Sequence, residues 1–244
     1  MKNTTVVMLL DNPFISDSRV EKESAFLVDS GFEVIVYCVS DNHLPAEENR
    51  NGIVIKRILN LFFQKPFGKN YSTQLTLFSN EISKESLDIL HCHDFMLMPL
   101  AAAIKKQKPR IFFSYDSHEY LAGWPYYKEI PNLINRSKGY LVWMRMLQNE
   151  KKVAKSINAL LAPSAAIATA LQERFKLSFS GISVRNIPEP KMIDSTISLR
   201  ETLKISKDRK LIVHSGSIYM PPKIIELLIG FINTSANLSL VFIG

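Results

Sequence analysis

Cysteine is scarce. The chain holds two, Cys38 and Cys92, each in or beside an apolar run. Two buried thiols in a reducing compartment are expected rather than a disulfide framework. No segment approaches the roughly 18 uncharged apolar residues that a spanning helix needs. The apolar stretch Thr4 to Leu10 stops at Asp11 and lacks a small-residue cleavage site, so it reads as a first strand and not as a signal peptide. No GxGxxG fingerprint or P-loop lysine is present, which sets aside a nicotinamide or ATP site of the usual kind. The G-x-S-x-G elbow is missing, so Ser117 is not read as a hydrolase nucleophile. Zinc-finger spacing, an RNP-like aromatic pair and a long arginine block are also missing, and nucleic acid is not an expected partner. The net charge of +7 is spread over scattered lysines such as Lys105, Lys106, Lys108, Lys151, Lys152 and Lys155. It agrees with an acidic ligand, an anionic membrane surface, or no particular partner.

What is present is an ample core and a repeating pattern. The chain is 46% hydrophobic, with 14 Phe and 8 Tyr, enough apolar surface to exclude disorder. Short β-branched runs alternate with helical ones. Strands are expected at 5–10, 33–39, 53–58, 87–91, 110–115, 159–162 and 182–185. Helices are expected at 17–30, 71–86, 96–106, 130–155 (with a possible break at Gly139) and from a Ser164 cap to Phe175. Asp17 or Ser18 can cap the first helix, and Gly31 can close it. This is an α/β pattern, and strands joined through helices give a Rossmann-like parallel sheet. Asn186-Ile187-Pro188-Glu189-Pro190 cannot lie inside a helix. After a polar linker the pattern restarts: a strand at 211–214, a helix at 221–231 and a strand at 238–243. At roughly 150 residues per domain, 244 residues make one domain and part of another. Two strands and one helix cannot bury their own faces. The expectation is a fragment: a domain at 1–188, a linker at 189–208, and a truncated second βαβ unit at 209–244.

Ligands of doubly wound sheets bind at the carboxyl ends of the strands, which directs attention to four places. Arg19 follows the first strand and is either an anion clamp or a plain surface arginine. His91-Cys92-His93-Asp94 closes the fourth major strand. Alternation puts His91 and His93 on one side, where they suggest either polar lining of a substrate cleft or a metal. Further ligands at convincing spacing are absent, so no metal is expected. Asp94 can bind a ligand or cap the next helix. Asp116-Ser117-His118-Glu119 follows the next strand. There His118 could donate to a sugar hydroxyl, with Asp116 or Glu119 orienting it or binding a second hydroxyl. A capping cluster is the alternative. Trp124, just beyond, could stack on a sugar, rest in a membrane interface or pack beneath a loop. In the second unit, Gly216 and Ser217 stand between a strand and a helix, where backbone N–H groups favour phosphate, and Lys223 adds charge.

The order of these motifs resembles that of the retaining glycosyltransferases of family 4, of the GT-B fold, with their group-1 relatives. Asp17-Ser18-Arg19-Val20, with Gly31-Phe32-Glu33-Val34, resembles the family's first βαβ. Asp88-Ile89-Leu90-His91-Cys92-His93-Asp94 is similar to its D-x-x-H-x-H-D strand end. Tyr115-Asp116-Ser117-His118-Glu119 resembles the D-x-H-E tip of one branch. Ala162-Pro163-Ser164, Arg185-Asn186-Ile187-Pro188 and His214-Ser215-Gly216 resemble later landmarks. The resemblance implies an acceptor-side first domain and a donor domain that binds a nucleotide-diphosphate sugar, meeting in a cleft, with no further cofactor. It makes His118 the first choice for a catalytic histidine and His93 the second. From their places at the strand ends, Arg19, Asp94, Asp116, Glu119 and Trp124 are read as substrate-binding, and Gly216, Ser217 and Lys223 as donor-binding. The implied acceptor is a glycan or lipid-linked sugar in cell-surface polysaccharide or lipopolysaccharide synthesis. The implied location is cytoplasmic, with possible peripheral contact at the inner membrane face. Ser217 and Pro222 stand near where the family usually has basic residues, and the family's paired-glutamate segment falls after Gly244. The chain is therefore expected to be weak or inactive alone. The other readings are a non-catalytic sugar-binding or scaffold remnant, or a Rossmann enzyme that modifies nucleotide sugars.

Overall fold

The computed structural model describes residues 3–60, 70–187, 198–215, 226, 228–231, 233 and 237–243. The chain divides into two compact units, Met1–Ile187 and Pro188–Gly244.

The first unit opens with strand β1 (Thr5–Leu9) and helix α1 (Ser18–Asp29), then β2 (Glu33–Val39). Asp17 starts α1 by accepting from the Val20 N–H at 3.2 Å. Its other carboxylate oxygen accepts from Asn12 Nδ2 at 2.9 Å. At the far end Gly31 N–H donates to Val28 O (2.9 Å) and Phe32 N–H to Leu27 O (3.1 Å). That closing turn needs a left-handed residue, which Gly31 supplies with φ 85°. Because Asp17 holds the turn that carries Arg19, Asp17→Ala should cost about 1 kcal/mol of stability. An unchanged urea midpoint would show that this cap contributes nothing.

The remaining strands are β3 (Glu47–Arg50), β4 (Ile53–Leu59), β5 (Ile89–His93), β6 (Phe112–Asp116), β7 (Ala159–Ala162) and β8 (Ile182–Ser183). They form one eight-stranded sheet ordered β3-β4-β2-β1-β5-β6-β7-β8. Every pairing is parallel except β3 with β4. β3 was not expected. It is a polar edge strand, joined to β4 through Asn51-Gly52, both at positive φ, as a tight hairpin turn requires. The helices are α2 (Tyr71–Ile82), α3 (Met98–Gln107), α4 (Leu133–Val153) and α5 (Ala165–Phe175). Ser164 caps α5 by accepting from Ile167 N–H at 3.3 Å.

Three expectations need correction. The fourth major strand lies two residues later than 87–91, which takes His93 into β5. α2 ends at Ile82 rather than at 86. Gly139 does not break α4: it lies where a Cβ would come within 2.8 Å of Ile130 Cδ1 and 3.1 Å of Tyr127 Cβ. It is a packing slot inside a continuous helix.

The sheet buries both faces. Val6, Met8 and Leu10 join Phe14, Val20, Val34 and Val36 on one side. Val7 and Leu9 join Leu90, Leu100, Phe113 and Leu160 on the other. Alternation along β1 thus feeds two cores, as a doubly covered parallel sheet demands. Cys38 and Cys92 are free and buried.

The second unit has a short helix α6 (Leu199–Thr202) and strands β9 (Lys210–Ser215) and β10 (Leu238–Ile243), which pair in parallel as a separate two-stranded sheet. Glu226 and residues 228–231 are helical. No helix among the described residues is long and apolar enough to cross a membrane.

Candidate functional site

Strand order reverses at β1: β2 and β4 lie to one side of it, β5 and β6 to the other. Such a switch point opens a crevice at the carboxyl ends of the strands. Three segments meet there: the first turns of α1 after β1, the end of β5, and the end of β6. They carry Arg19 and Glu23, then His91, His93 and Asp94, then Asp116 and His118.

Asp116 is the hub. It is fully buried, and its Oδ1 accepts from Arg19 Nη2 at 2.6 Å. Arg19 is buried as well, and its Nε donates to Glu23 Oε1 at 3.2 Å. Asp116 Oδ2 faces two histidines, His93 Nδ1 and His118 Nε2, each at 3.4 Å. His93 and His118 approach within 3.3 Å of each other. The outer nitrogen of His118, Nδ1, lies 3.7 Å from Asp94 Oδ2. On the far side His91 Nε2 is 3.4 Å and His93 Nε2 3.9 Å from Glu23 Oε2. His91 Nδ1 contacts Ser114 Oγ at 3.1 Å.

The charges follow from these distances. Burial works to raise the Asp116 carboxyl, but His118, His93 and Arg19 together hold it well below the usual carboxylate range. Burial likewise opposes a charge on His118, but Asp116 and Asp94 raise it above the ordinary histidine value. His93 goes the other way, pushed down to about 4 by complete burial and by neighbouring His91, against the pull of Asp116. Asp116 therefore favours the charged form of His118, while His93 beside it is neutral at neutral pH. Asp116 Oδ2 and His93 Nε2 are buried and, beyond the ion-pair contacts just given, make no hydrogen bond among the described residues. Each such atom costs about 1–3 kcal/mol. A purely structural cluster sheds that cost by becoming apolar.

Asp94 adds strain. Its φ of 65° and ψ of 158° fall in a region that only glycine occupies readily, at roughly 1–3 kcal/mol. Its side chain accepts from its neighbour Phe95 N–H at 3.1 Å, capping a 3-10 turn (Phe95–Leu97) that leads into α3. Burial pushes its carboxyl up to about 6, despite the attraction of His118. The ordinary value is about 4. Ionising Asp94 thus works against folding as pH rises from about 4 to 6, and the full cost stands above that range. Asp94→Asn keeps a capping oxygen and removes the charge. It should stabilise the protein by about 2–3 kcal/mol at pH 7.5 and have little effect at pH 4. Urea unfolding at the two pH values checks this, and a less stable variant at pH 7.5 would overturn it.

Among the expected residues, the structure brings Arg19, His93, Asp94, Asp116 and His118 together. Arg19 is not a surface arginine. Glu119 is exposed, and its main-chain carbonyl accepts from Ser117 Oγ at 2.7 Å. Trp124 is half-exposed and lies edge-on to Tyr126. Gly216, Ser217 and Lys223 lie outside the described residues. Glu23 was not singled out from the sequence. It stands four residues after Arg19 on one helix face, and that spacing was a usable signal.

Glu23, His91, His93 and Asp116 each offer one ligand atom within 4.8 Å of the others. The partners that sequence spacing did not supply to the histidines come from α1 and β6, and the set could hold a divalent cation. In the protein as described, Arg19 and His118 supply the positive charge that Glu23 and Asp116 face.

Comparison with solved structures places this architecture among GT-B proteins. Sucrose-phosphate synthase from Thermosynechococcus elongatus aligns over 99% of this chain and 62% of its own, with TM-score 0.68 and 15% identity. Anabaena Alr3699/HepE, solved in complex with UDP and glucose, aligns over 98% and 61%, with TM-score 0.61 and 13% identity. A UDP-N-acetylglucosamine 2-epimerase homologue from Listeria monocytogenes aligns over 99% and 63%, with TM-score 0.55 and 13% identity. The chain therefore spans about three fifths of the length of these structures. No curated protein matches by sequence. The model of Glycosyltransferase Family 4 matches residues 19–185, the stretch that holds all seven residues of the cluster, and the chain belongs to that family.

Proposed function

We propose that this chain supplies the acceptor-side domain of a retaining glycosyltransferase that moves a sugar from a nucleotide-diphosphate donor to a glycan or lipid-linked acceptor. In this reading residues 1–188 form that domain, 189–208 a linker, and 209–244 the beginning of the donor-binding unit. The product belongs to cell-surface polysaccharide or lipopolysaccharide synthesis, carried out on the cytoplasmic side with peripheral contact at a membrane.

The observation that carries the reading is His118: partly exposed at the sheet's ligand edge, its charged form favoured by buried Asp116, inside the region that matches the family. A cationic imidazole there can donate to a sugar hydroxyl or face the charge that develops on a leaving diphosphate. Such transfer needs little covalent chemistry from the protein. It needs the acceptor hydroxyl held at the anomeric carbon. Arg19 and Asp116 act on substrate through His118 and His93, whose positions they set. Asp94, Glu119 and Trp124 are the groups that contact sugar in this reading. Gly216, Ser217 and Lys223 are the donor phosphate contacts.

The test is release of nucleoside diphosphate from nucleotide-sugar donors, with NMR of the product's anomeric proton. Slow or absent release by these 244 residues, with retained configuration once a longer form turns over, is the expected result. Inverted configuration overturns the retaining assignment. Glycan binding with no transfer in any length of the protein overturns the enzyme assignment in favour of a sugar-binding remnant.

A further inference from the structure

Helix α4 has an outward face that its own unit covers only in part, at Tyr140, whose ring meets that of Tyr127 at 5.2 Å between centroids. Leu133 is 72% exposed, Ile134 68%, Tyr140 42% and Leu141 58%. At 3.6 residues per turn these four positions span an arc of about 120° on one side. The opposite side is the one that packs: Glu150 and Val153 are buried, and Trp143 Nε1 donates to Leu121 O at 3.2 Å. The helix is thus apolar towards solvent as well as towards its domain. A soluble surface rarely keeps so many large side chains in one patch without a use.

Charge identifies the use. From Ile130 to Asn149 there is no Asp or Glu, whereas Arg136, Lys138 and Arg145 fall in that stretch. Arg136 Nε donates to Ile130 O at 2.8 Å and so fastens the chain entering the helix. Lys138 and Arg145 are exposed. On the same helical projection they lie together at one border of the apolar arc. The acidic residues nearest in sequence bracket this stretch: Glu129 lies in the turn before the helix, and Glu150 is buried beneath it. An apolar stripe bordered by lysine and arginine, without carboxylates, matches a helix lying in the headgroup region of an anionic bilayer.

We propose that the first half of α4, Leu133 to Arg145, is a surface that docks the protein on an anionic lipid bilayer, Leu133, Ile134, Tyr140 and Leu141 entering the headgroup layer while Lys138 and Arg145 meet lipid phosphate. This rests on the proposed function only in giving the docking a purpose, the delivery of a lipid-linked acceptor. The docking is tested without turnover.

The experiment is sedimentation of the 244-residue protein with phosphatidylcholine vesicles and with vesicles holding 30% phosphatidylglycerol, alongside light scattering without lipid. The expected result is at least tenfold tighter partition onto the anionic vesicles. Leu133→Glu/Leu141→Glu should lower that partition tenfold or more, and Lys138→Glu about threefold at low salt. A second double variant, Leu133→Ser/Leu141→Ser, removes apolar surface without adding repulsion and should lower partition at least threefold. Circular dichroism confirms that each variant keeps its helix. Equal, weak partition onto both vesicle types overturns the proposal. So does a dimer that Leu141→Glu dissolves, since the face would then belong to a second copy. Vesicle binding with no transferase activity in any length of the protein would overturn the proposed function and leave the docking surface standing.

Discussion

Asp116→Asn should destabilise the protein by about 3 kcal/mol at pH 6, because it leaves buried cations facing a neutral amide. Arg19 would lose the charge of its 2.6 Å partner and keep Glu23 at 3.2 Å as its carboxylate. His118 would lose the nearer of its two carboxylates. The pH dependence follows from the two opposite shifts. Asp116 has a lowered carboxyl, so its contribution is present above the unfolded value of about 4 and is lost as pH falls through the folded value below it. His118 is raised, so its contribution is complete below about 6.5 and is lost as pH rises through its folded value. The gap between parent and variant should therefore be widest between about pH 4 and 6.5, narrow somewhat on the alkaline side, and begin to narrow below about pH 4. Urea unfolding at pH 3, 6 and 9 measures all three regimes. A loss under about 1 kcal/mol at pH 6 would show that the hub does not hold the cluster. Removing Arg19 and Asp116 together, as Arg19→Met/Asp116→Asn, should recover at least about 1 kcal/mol relative to Asp116→Asn, since no unpaired guanidinium remains. Strict additivity of the two substitutions would contradict the pairing.

The same pair marks the line between what the sequence makes legible and what it does not. β1, β2, β4, β6 and β7 are readable because each is a short apolar run bounded by turn residues. β3 is not: Glu47-Glu48-Asn49-Arg50 is polar, and only its pairing with β4 makes it a strand. Asn51-Gly52 is a pair that suits a hairpin turn, but a turn pair names no partner without an apolar run before it. Gly139 reads as a breaker because propensity is local. Its actual role depends on Ile130 and Tyr127, which the local rule does not see. His91 and His93 could be placed on one side by strand alternation alone, and their rings do lie 4.4 Å apart. The Arg19–Asp116 contact spans 97 positions. It exists because β5 and β6 are laid down beside β1 on the side away from β2. Periodicity gives the elements, and strand order brings their polar tips together.

His118→Ala should reduce turnover by about 10²- to 10³-fold in a form of the protein with a complete donor-binding unit, the range expected when one charged or proton-donating group is lost from a site. On the alkaline side, where its pairing with Asp116 no longer contributes, stability should change little, because His118 is the cluster member that faces solvent: its side chain is 24% exposed, while those of His93 and Asp116 are fully buried. The pH profile separates a chemical role from a structural one. If the imidazolium is the active form, the parent's rate falls as pH rises through the elevated His118 value, and His118→Ala loses that limb while its remaining rate stays flat. His93→Ala is the comparison. His93 is held neutral, so its loss should leave the alkaline limb in place. It should act mainly through stability, by opening a buried space beside Asp116. A His118→Ala enzyme with unchanged rate, or a parent without an alkaline limb, would remove His118 from the proposed role. A His93→Ala enzyme that loses the limb would move that role to His93, whose Nε2 lies 3.9 Å from Glu23 Oε2.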